Sequence, residues 1–131
     1  MKRWAMTLRL QPNESLETRL AAVVQYLQRF LGEGPWDVSD LDATGDLGGE
    51  LTLTLNQTNK IAVSTSDLLR MLREPGNVIE LDASLVREGE AALRLIVRDG
   101  TSVDILGAAD IDLPPAVVGD HVSQDPTLFG W

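Results

Sequence analysis

Between Asp40 and Leu51 the chain reads DLDATGDLGGEL, the residue types of a calcium-binding loop. Asp40, Asp42 and Thr44 fall at the first, third and fifth places of such a loop, Gly45 at the sixth and Leu47 at the eighth. That chemistry needs a bidentate Glu at the twelfth place to close the coordination sphere. The twelfth residue here is Leu51, and Glu50 comes one place early. Gly34-Pro35 lies shortly upstream and an alternating stretch follows, so neither flanking helix is expected. Asp, Thr and Gly are also what turns use. The segment reads as an acidic turn, and no metal is expected.

Other constellations are no stronger. His121 is the single histidine, and with no cysteine in the chain it has no second soft ligand to share a metal with. Ser123 and Asp125 lie close to it in sequence, but a triad is a matter of geometry. Asp40/Asp42, Glu80/Asp82 and Asp110/Asp112 are paired carboxylates. Two residues apart on a strand they share a face, yet a general acid also needs an apolar pocket, and none is legible. Phosphate-binding glycine patterns are missing, and Gly48-Gly49 reads as a turn. Neither catalysis nor a cofactor is expected.

Charge carries more information. The 131 residues hold 20 acids against 11 bases, a net charge of −9, which disfavours nucleic acid and anionic membranes as partners. Six acids lie between Gly32 and Asn59 and six more between Asp99 and Trp131, with no Lys or Arg in either segment. The first segment holds Trp36, Asp37, Asp40, Asp42, Asp46 and Glu50, an aromatic among carboxylates. That combination suits a protein interface, with the acids steering a basic surface and Trp36 anchoring it. Phe129 and Trp131 have the same setting in the second segment, and covering the ends of the core is the alternative for all three.

The elements that must position these residues follow from periodicity. Trp4, Met6, Leu8 and Leu10 alternate with polar or small residues, as in a strand with one buried face. Leu16, Leu20, Val23, Val24, Leu27 and Leu31 form one helical stripe, with Asn13 as the expected cap, Glu14 and Glu17 in the first turn and Gly32 past the end. The segment from Glu33 to Gly49 is expected to be loop, with a short strand within Trp36–Leu41. Leu51, Leu53 and Leu55 alternate with Thr52 and Thr54 and predict a strand, followed by a turn at Asn56–Lys60. Ser64 and Asp67 have capping-box spacing ahead of Leu68, Leu69 and Leu72, a short second helix stopped by Pro75-Gly76. A meander over Ile79–Ile105 turns at Arg87–Glu90 and at Asp99-Gly100.

This order predicts one α+β domain: a largely antiparallel sheet with two helices on one face. Arg9, Thr52, Thr54, Glu80, Asp82, Arg94 and Arg98 are expected on the other. Residues 107–131 are rich in Pro and Gly and read as an irregular tail that wraps back over the domain or joins a second copy. The start MKRWAMTLRL lacks the apolar run of a signal peptide, so a cytoplasmic protein is expected.

In size, charge and layout the chain resembles bacterial immunity proteins, small acidic domains that plug the active site of a cognate toxin. The resemblance implies a non-catalytic inhibitor and a toxin partner with a basic surface. The alternative reading is a small-molecule binder or enzyme, in which Arg9, Arg94 and Arg98 on the open sheet face hold an anionic ligand.

Overall fold

The computed structural model describes residues 2–131. Seven strands form one open antiparallel sheet: β1 (Arg3–Leu8), β2 (Trp36–Ala43), β3 (Ile61–Val63), β4 (Val78–Arg87), β5 (Glu90–Arg98), β6 (Ser102–Ala108) and β7 (His121–Gln124), in the order β3-β2-β4-β5-β6-β1-β7. Helices α1 (Leu16–Leu31), α2 (Asp46–Thr58), α3 (Thr65–Arg73) and the short α4 (Pro115–Val118) join the core on one face. The α+β class and antiparallel sheet are those expected. Among the described residues no helix is long and apolar enough to cross a membrane.

Helix α1 buries Leu20, Val23, Val24 and Leu27 on the expected stripe, each worth about 1.5–3 kcal/mol of burial. Its cap is Ser15 rather than Asn13: the Ser15 hydroxyl accepts the Thr18 N–H, while the Glu14 carboxylate accepts the Gln11 N–H and pairs with Arg19. Ser64 caps α3 as expected, through the Asp67 N–H. Phe30 is 67% exposed, and its ring lies tilted against that of Tyr26 with centroids 4.8 Å apart.

The largest departure is α2, where the sequence predicts a strand. Leu47, Leu51 and Leu55 lie four apart and turn one face to the core, while Leu53 is 65% exposed. Thr52 and Thr54, which suggested a strand, bond instead within the helix, donating to the carbonyls of Gly48 and Glu50, and Thr58, expected in a turn, donates to that of Thr54. A distant residue caps its start, Glu74 accepting the N–H groups of Gly48 at 2.8 Å and Leu47 at 3.1 Å. DLDATGDLGGEL is therefore the end of a strand running into a helix, with its joint at Thr44-Gly45, and neither an ion loop nor a turn.

Residues 107–131 also hold more order than expected. Gly107 lies within β6, where the Trp4 ring fills the space a Cβ would need. Trp4 Nε1 donates to the carbonyls of Ala108 and Ile111. Beyond α4, β7 pairs with β1 and extends the sheet. Arg19 reaches across to the carbonyls of Val118 and Asp120, which ties this segment to α1. The tail wraps its own domain.

Candidate functional site

The sheet face away from the helices is laid out by register. Three rows of side chains cross it. One begins Asp42, Glu80; the next runs Asp40, Asp82, Ile96, Asp104, Thr7; the third runs Asp37, Ser84, Arg94, Leu106, Ala5. Strict alternation would put Asp40 on the same face as Val38, which is core. A β-bulge between Val38 and Asp40 inserts Ser39 and turns Asp40 and Asp42 outward, while Leu41 and Ala43 stay buried.

This register sets like charges directly opposite each other twice, Asp40 across from Asp82 and Asp42 across from Glu80. Opposed like charges destabilise a sheet, by a magnitude of about 0.2–1 kcal/mol per pair. Two arginines from β5 offset part of this. Arg94 grips Asp82 bidentately, Nε to Oδ1 at 2.9 Å and Nη2 to Oδ2 at 2.6 Å. Asp82 is only 9% exposed, so the pair answers a burial penalty. The Asp82 hydrogen bonds raise the Arg94 pKa above its ordinary value, against the burial that lowers it. Arg98 spreads thinly, lying 3.5 Å from Asp40, 3.4 Å from Glu80 and 4.0 Å from Asp82. Exposed contacts of that length contribute at most about 1 kcal/mol. Asp42 faces solvent with no cation within ion-pair distance among the described residues.

The expected site residues divide. Asp40 and Asp42 come together, with Asp37 at the rim beside Lys60 at 3.7 Å. Asp46 and Glu50 are exposed on α2, in the helix layer, and not on this face. Trp36 is 0% exposed and its Nε1 donates to Thr65 Oγ1 at 2.9 Å. It anchors the core and offers no surface to a partner, since its side of β2 is the helix side. Glu80 and Asp82, set aside in the sequence for want of an apolar pocket, complete the cluster. Their two-residue spacing was visible; the strand that faces them was not. Of the three arginines, Arg94 and Arg98 are on the face and Arg9 lies past the end of β1. Thr52 and Thr54 sit on α2. His121 belongs to β7, its Nδ1 2.8 Å from the Gly119 carbonyl.

The other half of the face is covered. After β7 the chain turns through a short 3-10 helix, Pro126–Phe129, and lays Phe129 and Trp131 on Ala5, Ile96 and Leu106. Asp125 caps this turn by accepting from the hydroxyl and N–H of Thr127, which holds its carboxyl below the usual range. The Arg3 guanidinium lies 4.5 Å from the centre of the Trp131 ring. Among the described residues the buried Trp131 Nε1 finds no acceptor, an omission worth about 1–3 kcal/mol.

No protein-family model, curated protein or solved structure matches this chain.

Proposed function

We propose that this chain is a non-catalytic protein-binding module of the immunity or antitoxin type, which neutralises a toxin by covering its basic active-site surface in the bacterial cytoplasm. The observation that carries the reading is the pair of opposed carboxylates, Asp40–Asp82 and Asp42–Glu80, on a solvent-facing sheet. They oppose folding where they stand, and a cationic surface docked against them removes that repulsion. The exposed Asp40 and Asp42, the second with no cation beside it among the described residues, also steer a basic partner and raise its on-rate. Asp46 and Glu50 on α2 add to the field at longer range, as does the net charge of −9.

The competing idea of an anion held by arginines has less support. Arg94 and Arg98 already face carboxylates, and an anion entering here meets Asp40, Asp82 and Glu80 first. Nor do the three carboxyl groups with shifted pKa values, Glu33, Glu74 and Asp125, resemble a general acid, because all three move down.

Affinity capture from the native host tests the reading, with wild-type bait beside Asp40→Lys plus Asp42→Lys. A basic protein held by the wild type, released by salt and lost from the double variant is the expected result. Equal capture by both baits refutes the assignment of the site.

A further inference from the structure

The acidic rows do not end at β4. Ile96 lies in the row of Asp40 and Asp82, and Leu106 in the row of Arg94, so the apolar patch under Phe129 and Trp131 continues the acidic patch. What covers that patch is held by side-chain packing, the Asp125 turn and the Arg3–Trp131 contact rather than by the sheet. Beyond Gln124 the segment makes no strand pairing. The Arg94 link to the Phe129 carbonyl is 3.4 Å, Leu128 is 72% exposed, and Trp131 Nε1 has no acceptor among the described residues. Arg94 is shared between the two halves, gripping Asp82 on one side and Phe129 on the other.

We infer that residues 125–131 are a displaceable strap, standing in for a basic partner segment that carries an aromatic residue. The segment's cations take Asp40, Asp42 and Glu80, and its ring takes the floor of Ala5, Ile96 and Leu106. The strap itself shows that this floor accepts aromatic rings. The inference rests on the acidic-face reading above.

Two peptides test it, Lys-Lys-Trp-Lys-Lys and Lys-Lys-Ala-Lys-Lys, titrated at low salt into the full chain and into a chain lacking residues 125–131. A closed strap that opens in about one molecule in ten weakens apparent affinity about tenfold. The tryptophan peptide is therefore expected to bind the shortened chain roughly tenfold more tightly, while the alanine peptide binds both chains alike. Should the deletion perturb folding by circular dichroism, Arg3→Ala replaces it, since it frees Trp131 from outside the core and shifts affinity in the same direction. Equal tryptophan-peptide affinity for both chains overturns the strap and leaves the acidic face standing. Failure of both peptides to bind either chain overturns both. A dimer of the full chain that dissociates on deletion overturns the partner segment in favour of strap exchange between copies.

Discussion

At the scale of residues, the opposed carboxylates carry the functional account. Asp42 faces Glu80 across the strands and has no ion-pair partner among the described residues. Replacing it with Lys turns a repulsive cross-strand pair into an attractive one. Asp42→Lys is expected to stabilise the fold by up to about 1 kcal/mol in urea unfolding, while weakening the binding of a basic ligand. A variant that gains stability and loses binding marks a site kept at the expense of folding. One that loses stability contradicts the register argument. Asp82 differs from its neighbours because it is nearly buried and gripped by Arg94, so it serves the architecture as well as the charge.

At the scale of elements, α2 is where the sequence misled, and it yields two predictions. Gly49 has open space where a Cβ would stand, whereas at Gly48 a Cβ meets that of Ala43 at 3.0 Å. Gly49→Ala is expected to add about 0.5–1 kcal/mol to stability in urea unfolding, and Gly48→Ala to add nothing. Unchanged or lowered stability in Gly49→Ala contradicts the placement of Gly49 inside a helix with open space beside it. The second prediction concerns its cap. The N–H groups of Gly48 and then Leu47 hold the Glu74 carboxyl below its ordinary 4.5. The unfolded chain therefore binds the proton more readily, so the contribution to stability is present above about pH 4.5 and lost as pH falls through the lowered value. Glu74→Gln is expected to unfold at lower urea than wild type at pH 7, with the gap closing as pH falls below the ordinary carboxylate value and through the lowered one; a gap constant with pH excludes the carboxylate as cap. Neither feature was legible from sequence, because Glu74 is 26 residues or more from the groups it caps. Helices α1 and α3 and the β4–β6 meander were legible, since local periodicity and local caps specify them. Trp36 was misjudged for a related reason: acids on both sides of a strand hide which face is buried until a bulge fixes the parity.

At the scale of the whole molecule, the helices close one face of the sheet, the strap covers part of the other, and what stays open is acidic. The charge imbalance was legible from composition, and its convergence on β2 and β4 needed the pairing of strands far apart in sequence. The most direct test is the binding of a decalysine peptide across a range of ionic strength, for wild type and for Asp40→Asn, Asp42→Asn, Glu80→Gln combined. Affinity that falls steeply with salt, and is both weaker and flatter in the triple variant, is the predicted result. Binding that ignores salt, or that survives the triple substitution unchanged, contradicts the account.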